Sequence, residues 1–269
     1  MNKKHSIATL LMVLSVFVPL YASDFNKGYE ALIADNYDLS LEYLLPLAEE
    51  GNALARYNVG VIYARLADQV GNDADAKNLQ AAKWFLLSAL QGLPEAQHKI
   101  GLMHYSGIGT TVNQTEGKRW FKSAAELGLA ESQYALAMLA ILDENFEEAA
   151  QWLQLASDQD YLDSTLLLAN LYRTGNGIEK NHSKAVDLYK LKAEQGHPEA
   201  LYYLGLAYGA GLGIEQDFTQ AYVWLSLASH YGHEDAARYK TSLENTRPKS
   251  EITYGRELAT EIIKNNIFE

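Results

Sequence analysis

The chain has 269 residues, of which 48% are hydrophobic, so it holds enough apolar material for a large core. It carries 34 acidic and 22 basic residues, and the resulting charge of −12 repels the phosphates of nucleic acids and anionic lipid headgroups, so neither is expected as a partner. The sequence contains no cysteine, which excludes disulfides and thiolate metal sites, and no cofactor is predicted.

The amino terminus has the pattern of a secretory signal peptide. Lys3 and Lys4 precede an apolar run over residues 7–21 that is short for a membrane span, and Pro19 interrupts it. We predict a signal peptide over residues 1–22 and a periplasmic or secreted protein; an uncleaved anchor is the alternative. Without a cysteine near the cleavage point, the chain is not expected to be a lipoprotein. Cleavage would leave 20 basic and 34 acidic residues, a charge of −14, and no stably inserted segment.

The next stretch predicts an atypical helical hairpin over residues 23–52, which would cap the array that follows. A regular helix is expected from Ala53 to Arg65, and an insertion from Leu66 to Asn78 is expected to form a loop. Asp73 and Asp75 faintly resemble the start of a calcium-binding loop. The central glycine and the final glutamate of such a loop are missing, so a solvated loop is the preferred interpretation.

The stretch from residue 197 to 232 shows the repeating unit most clearly. Pro198 is typical of a helix start, and Gly211 and Gly213 provide two residues that tolerate positive φ where the chain must turn. A second helix with an apolar stripe follows and ends at the capping residue Gly232. The pattern predicts a helical hairpin whose apolar side must pack against a neighbouring hairpin.

Three positions of this unit recur in one register along the chain, 36 residues apart in the last repeats. The capping position holds Gly51, Gly92, Gly128, Asp160, Gly196 and Gly232. The large residue eight positions earlier is Tyr43, Trp84, Trp120, Trp152, Leu188 and Trp224. The small residue of the first helix, helix A, is Gly60, Gly101, Ala137, Ala169 and Gly205. We expect each tryptophan ring to fill the space between the two helices of its hairpin.

Several short motifs carry a family resemblance: Ala-Arg-Tyr-Asn-Val-Gly at 55–60, Ala-Gln-His-Lys-Ile-Gly at 96–101, the Gly-x-Gly turns at 107–109, 175–177 and 211–213, and the junction at 194–200. Together they resemble the Sel-1-like repeat family, a tetratricopeptide relative. The resemblance implies an all-α, right-handed α/α superhelical solenoid of five repeats, followed by capping helices over residues 233–269. The repeats are expected at 53–92, 93–128, 129–160, 161–196 and 197–232.

No constellation of catalytic or metal-binding residues stands out. His230, His233 and Glu234 are the nearest approach to a metal cluster, but they straddle the Gly232 cap, and a turn is the preferred interpretation. The sequence has no Gly-x-Ser-x-Gly elbow, phosphate-binding loop or His-Glu-x-x-His motif. We therefore predict a protein that is not an enzyme and that holds no metal.

Two ladders on helix A are the candidate binding residues. Three positions before the small residue stand Tyr57, His98, Tyr134, Leu166 and Tyr202, and one position after it stand Val61, Leu102, Met138, Asn170 and Leu206. The resemblance implies that helix A lines the concave face of a solenoid. We predict protein binding by Tyr57, His98, Tyr134, Tyr202, Leu102, Met138 and Leu206. Packing between adjacent A helices is the preferred alternative for the aromatic residues, and the two roles are compatible.

The resemblance implies an exported adaptor, scaffold or regulator that binds another protein or peptide, and the negative charge favours a neutral or basic partner. Two other functions stay open. One is an enzyme acting on cell-wall or β-lactam ligands, as suggested for cysteine-rich relatives of the family. The other is a structural scaffold that associates with itself.

Overall fold

The computed structural model describes residues 23–69 and 73–265, and this part of the chain forms fourteen helices and no strand. The predicted signal peptide lies outside the described residues, as do residues 266–269. The described residues divide into two compact units, with the boundary between Ser132 and Gln133. None of the described helices is both long and apolar enough to cross a membrane.

The helices follow one another as hairpins, which confirms the predicted all-α class. Consecutive helices pack as pairs, α3 with α4 and α5 with α6 in the first unit, and α9 with α10 and α11 with α12 in the second. The bounds are α1 (23–33), α2 (Tyr37–Glu49), α3 (Ala53–Asp68), α4 (Ala74–Ala89), α5 (Pro94–Ser106), α6 (Gln114–Glu126), α7 (Ala130–Leu142), α8 (Phe146–Ser157), α9 (Leu162–Thr174), α10 (His182–Ala193), α11 (Pro198–Ala210), α12 (Phe218–His230), α13 (Ala236–Thr246) and α14 (Lys249–Lys264).

The described residues of the insertion that was predicted as a loop over residues 66–78 are mostly helical, so that prediction is wrong. Helix α3 continues to Asp68 and α4 begins at Ala74, and each has 16 residues where α5 and α6 have 13. The extra residues lengthen both helices of the hairpin by about one turn, because adding hydrogen-bonded turns to an existing helix needs no new nucleus. Asp73 and Asp75 stand at the start of α4, where carboxylates favour the helix dipole.

The capping ladder is confirmed at every position. The five repeats and the first hairpin all end on a residue with positive φ, between 64° and 107°. Five of these residues are glycine, and the sixth is Asp160 with φ of 64°. The left-handed conformation reverses the chain after the second helix of each hairpin, helix B, and so sets the entry of the next helix A.

A fourth ladder, which the sequence reading missed, caps the start of helix B. The residue fifteen positions before the cap accepts a hydrogen bond from a backbone N–H of the first helical turn. The signal was visible as an Asn or Asp in the same register as the glycines: Asn36, Asn113, Asn145, Asn181 and Asp217. In α4 the insertion displaces this residue, and the Asp73 side chain makes no capping bond.

The tryptophans do not fill the space inside their hairpins, and the expectation that they do is wrong. The residue after each ladder position is the one buried there, at 0–3% exposure: Phe85, Phe121, Leu153, Tyr189 and Leu225. A Cβ added to Gly60 would meet the ring of Phe85, and one added to Gly101 would meet Phe121. The tryptophans are half-buried; Trp120 packs against a cluster from α4 and α5 that includes Phe85 and Ile100.

The Gly-x-Gly turns bring successive hairpins into contact. The second glycine of each turn has positive φ and lies against the first turns of helix B in the preceding repeat: Gly109 against Asn78, Gly177 against Phe146, and Gly213 against His182. In each of these pairs a Cβ would overlap the neighbouring atoms, so a side chain is excluded by space as well as by φ.

One buried charge links two repeats of the second unit. Lys192 on α10 is 1% exposed, and its ammonium donates to the Asp160 carboxylate, to the Asp160 carbonyl at 3.3 Å and to Gln195 Oε1 at 3.4 Å. The Lys192 side chain, by hydrogen bond and charge, holds the pKa of Asp160 below its ordinary value. The ion pair explains why an aspartate stands where the other repeats have glycine.

Hydrogen bonds between side chains connect the last three helices of the second unit. The Tyr222 hydroxyl on α12 donates to Glu244 Oε1 on α13 at 2.7 Å, and Arg256 Nη2 on α14 donates to the same oxygen at 2.9 Å. Helices α13 and α14 are the two C-terminal helices predicted for residues 233–269, although α13 begins at Ala236 and not at His233.

Replacing Phe121 by alanine tests which residue occupies the interior of the hairpin. Because the ring is 3% exposed and faces Gly101, its loss should cost about 3–5 kcal/mol of unfolding free energy. The half-buried neighbour Trp120, changed to alanine, should cost clearly less. Urea denaturation followed by circular dichroism compares the two. An equal or larger loss for Trp120→Ala would contradict this assignment.

Alanine at the two glycines of the last turn separates backbone strain from overlap. At Gly211 the nearest atom to a new Cβ is Gln216 Cβ at 3.2 Å, a tight contact without overlap, so Gly211→Ala should cost about 1–2 kcal/mol, mainly from positive φ. At Gly213 a Cβ would also overlap the carbonyl group of His182, so Gly213→Ala should lower the melting temperature further. Equal effects in thermal unfolding would show that the contact between turns is loose.

Candidate functional site

The predicted ladder residues of the first unit pack between neighbouring helices. Tyr57 on α3 is half-buried, with its ring centroid 5.7 Å from that of Phe85. His98 on α5 is also half-buried, 5.4 Å from the ring of Phe121, and its Nδ1 lies 2.8 Å from Ser132 Oγ on α7. The residue in the second ladder, Leu102, is 42% exposed. In this unit the aromatic ladder therefore packs, whereas in the aliphatic ladder Leu102 is exposed and Val61 packs against the core.

Burial keeps His98 uncharged. Desolvation, with a smaller contribution from the charge of Lys99, lowers the pKa of His98 to about 4, although Glu131 acts in the opposite direction. The neutral ring can share one hydrogen bond with the buried Ser132 hydroxyl. These contacts make His98 a polar link between two A helices.

In the second unit the same ladder is more deeply covered toward its end. Tyr134 is half-buried with its ring 5.4 Å from that of Tyr161. Tyr202 is 8% exposed and stacks on His233 with ring centroids 4.0 Å apart, while Tyr239 lies 5.7 Å away. The contacts of Tyr202 support the packing role weighed against its binding role. Met138, from the second ladder, is 37% exposed.

A cavity of about 670 Å³ lies in the first unit and is called the N-terminal cavity. Its walls come mainly from α3 and α5 and include two predicted residues, Tyr57 and Leu102. They also include Phe85 and charged side chains of both signs, Arg65, Lys99 and Asp68. The wall of the N-terminal cavity therefore contains apolar side chains together with both positively and negatively charged ones.

A second cavity, of about 630 Å³, lies in the second unit and is called the C-terminal cavity. Helices α9, α10 and α11 supply most of its wall, which includes the predicted residue Leu206 and the apolar side chains of Val186, Ala207 and Leu212. Both cavities fall within the ~300–1,000 Å³ range of ligand sites in proteins. Sequence reasoning found one or two residues of each cavity and missed the contributions of helix B.

A stacked group of three side chains forms one part of the C-terminal cavity. Tyr189 and Tyr203 lie nearly parallel with ring centroids 5.0 Å apart, and the Arg173 guanidinium carbon lies 5.0 Å from the centre of the Tyr203 ring. Arg173 Nη2 donates to Asn170 Oδ1 at 2.5 Å. The cation over the ring and the hydrogen bond hold the guanidinium in place.

Two polar atoms of this group lack a hydrogen-bond partner among the described residues. They are Arg173 Nε and the hydroxyl of Tyr189, a residue 2% exposed. Burial raises the pKa of Tyr189. The nearby Arg173 guanidinium opposes this shift without reversing it, and the two groups do not meet the geometry of a hydrogen bond. Unpaired buried donors cost stability, so a ligand that offers acceptors to both would relieve that cost.

Residues 23–69 and 73–265 contain no group of three or more acidic or histidine side chains arranged to hold a metal ion. His230 and His233 are instead engaged with tyrosines: His230 packs edge-on against Tyr231 at 5.1 Å, and His233 stacks on Tyr202. Their contacts agree with the turn interpretation.

Comparison with known families identifies the repeats. The sequence profile of the Sel1 repeat matches residues 53–93, 94–129, 130–161, 162–197 and 198–233, which is more than half of the chain. The chain belongs to the Sel1 repeat family. The resemblance drawn from the short motifs is thereby confirmed, and each matched Sel1 repeat contains one helix A and one helix B.

Sequence relatives share only part of the chain. An uncharacterised protein of Neisseria meningitidis serogroup B is 37% identical over 95 residues, covering 35% of this chain and 20% of that protein. A Sel1-like repeat-containing protein of Acanthamoeba polyphaga mimivirus is 30% identical over 77 residues, covering 29% of this chain and 14% of that protein. The matches span a fifth or less of the length of these relatives.

Solved structures show the same fold. A protective antigen present in uropathogenic Escherichia coli strains, with the Sel1-like repeat fold, has a TM-score of 0.75 at 22% identity over 92% of this chain and 55% of its own. A Sel1 repeat protein from Oxalobacter formigenes has a TM-score of 0.72 at 25% identity over 88% of this chain and 99% of its own. The predicted solenoid class is confirmed. Sel1 repeats generally mediate protein–protein interaction and form non-catalytic scaffolds.

The neutral state of His98 predicts a pH dependence of stability. Between pH 6.5 and about pH 4 the unfolded chain binds a proton at this residue that the folded chain does not, so stability falls as the pH is lowered through that range. We expect His98→Gln to remove about 1 kcal/mol of the stability difference between pH 7 and pH 5, after discount for partial exposure. Urea unfolding at both pH values measures it, with His230→Gln, at an exposed histidine, as control. An unchanged difference in His98→Gln would show that His98 is charged in the folded protein.

Proposed function

We propose that this protein is an exported adaptor that binds another polypeptide through its two cavities and the exposed ladder residues on helix A. The positive Lys3–Lys4 pair followed by an apolar run supports export to the periplasm or beyond the cell. The family supports binding, since Sel1 repeats generally mediate contacts between proteins.

The observation that carries the proposal is the position of the cavities. Both are lined by residues of the predicted second ladder, Leu102 in the N-terminal cavity and Leu206 in the C-terminal cavity. Leu102 is a large apolar side chain that is 42% exposed beside a preformed concavity, and such residues are suited to receive side chains of a partner. Met138, 37% exposed, is a second exposed apolar residue of this ladder. A preformed repeat surface loses little entropy when it binds.

The net charge of the protein indicates which kinds of partner are favoured. A mature charge of −14 steers neutral or basic proteins toward the surface and disfavours strongly acidic ones, and salt should slow association where steering matters. Regulation or assembly in the cell envelope is the setting that export would give such an adaptor.

Selection of binding peptides from a large displayed library tests the proposal. Peptides selected on the purified protein should bind one of the cavities, so Leu102→Lys or Leu206→Lys should weaken the binding of selected peptides about tenfold or more, because the new ammonium cannot be desolvated against an apolar group. Fluorescence anisotropy with labelled peptides gives the dissociation constants.

Matched controls use the same substitution at exposed leucines that line neither cavity. Leu127 at the end of α6 is 57% exposed, and Leu155 on α8 is 48% exposed. Leu127→Lys and Leu155→Lys should leave affinity unchanged, and melting temperatures should show that all four variants fold. Peptides that lose affinity for the control variants but keep it for the cavity variants would place binding elsewhere.

A further inference from the structure

The C-terminal cavity is locally basic in an acidic protein. Its wall includes Arg173, Lys180 and His182 and no carboxylate, although the chain carries a net charge of −12. The N-terminal cavity, by contrast, includes Asp68 next to its basic residues. The negative charge of Glu199 helps to raise the pKa of the Tyr189 hydroxyl. Glu199 is nevertheless exposed in the first turn of α11 and is not part of the cavity wall. The local charge of the cavity therefore favours an anionic group.

The two unpartnered polar atoms define what kind of anion fits. Arg173 Nε and the Tyr189 hydroxyl are both donors, and both residues line the cavity. A carboxylate has two acceptor oxygens and accepts from a guanidinium and a hydroxyl together, with hydrogen bonds stronger than neutral ones.

Most of the remaining wall is apolar, although Thr174 and Tyr239 also contribute, so the wall favours an anion that carries an apolar group. Val186, Leu206, Ala207, Ala210 and Leu212 surround the space, whose volume of about 630 Å³ exceeds that of a single large side chain. A ligand with an apolar side chain and a carboxylate on the same residue would use both parts of the wall. The carboxyl-terminal residue of a polypeptide has this chemistry.

A chain terminus also agrees with the net charge. An acidic surface disfavours an acidic partner as a whole, but a neutral or basic polypeptide still ends in a carboxylate. We propose that the C-terminal cavity binds the free carboxyl terminus of a partner polypeptide that ends in an aromatic or large aliphatic residue. The proposal rests on the proposed protein-binding function and specifies its chemistry at this cavity.

The test compares two synthetic hexapeptide libraries that differ only at the carboxyl end. Both are attached through the amino terminus; one has free carboxylates and the other has carboxamides. Labelled full-length protein should select free-acid peptides with an aromatic or large aliphatic last residue. Their amides should bind about tenfold more weakly or worse, because a charge-assisted hydrogen bond is lost.

Two variants locate the binding. Tyr189→Phe removes only the unpartnered hydroxyl, so it should keep or raise the melting temperature while it weakens free-acid binding several-fold. Arg173→Met keeps the aliphatic stem and removes the guanidinium, and it should abolish the preference for acid over amide. Arg119→Met, the same change at an exposed arginine that lines neither cavity, is the matched control and should bind free-acid peptides like the unchanged protein.

Three results would overturn the proposal: no free-acid peptide is selected, amides bind equally well, or Arg173→Met and Tyr189→Phe both retain the acid preference. Failure of this proposal is distinguishable from failure of the proposed function. Peptides without a free carboxylate whose binding depends on Leu206 or Leu102 would keep the protein-binding function and reject only the carboxyl-terminal ligand.

Discussion

The structure depends on the close approach of helix A and helix B within each hairpin. A small residue on helix A faces a large buried residue on helix B, as Gly60 faces Phe85 and Gly101 faces Phe121. Because this contact fixes how helix A is rotated against helix B, it also fixes the directions in which the neighbouring side chains of helix A point. The aromatic ladder packs between helices, and Leu102 and Leu206 of the aliphatic ladder are left beside the cavities, so the candidate site is a consequence of core packing.

The contact between successive hairpins tolerates changes that keep the register. The insertion before Asn78 lengthens α3 and α4 but leaves Asn78 against Gly109, in the place that Phe146 and His182 occupy against Gly177 and Gly213. At Asp160 the chain accepts a non-glycine residue at a left-handed cap, and the carboxylate is paired with a buried lysine of the next repeat. Both deviations are local because each repeat contacts only its neighbours.

Periodic features of the fold were predictable from the sequence, whereas features that depend on side-chain direction were not. The capping ladder and the hairpins follow from glycine and apolar spacing, and every cap was found at its predicted position. Trp120 and Phe121 are adjacent large apolar residues, and composition cannot say which of the two enters the hairpin; the helix crossing decides. Tyr202 was predicted as a binding residue because its spacing matches that of Tyr57, with packing as the preferred alternative. In the structure Tyr239 on α13 packs against it, and no repeat pattern predicts where a terminal helix docks.

The basic cavity illustrates the same limit in electrostatic terms. A charge of −12 describes the field far from the protein, but a ligand inside a cavity interacts mainly with side chains a few ångströms away, where Arg173 and Lys180 outweigh the distant carboxylates because exposed charges beyond about 10 Å are screened. Arg173 and Tyr189 come from consecutive helices of one repeat, and Tyr203 from the next. Only the packing of helix B against two A helices brings these three side chains together. The pair of donors, Arg173 Nε and the Tyr189 hydroxyl, therefore cannot be recognised from the sequence and is found only in the folded hairpins.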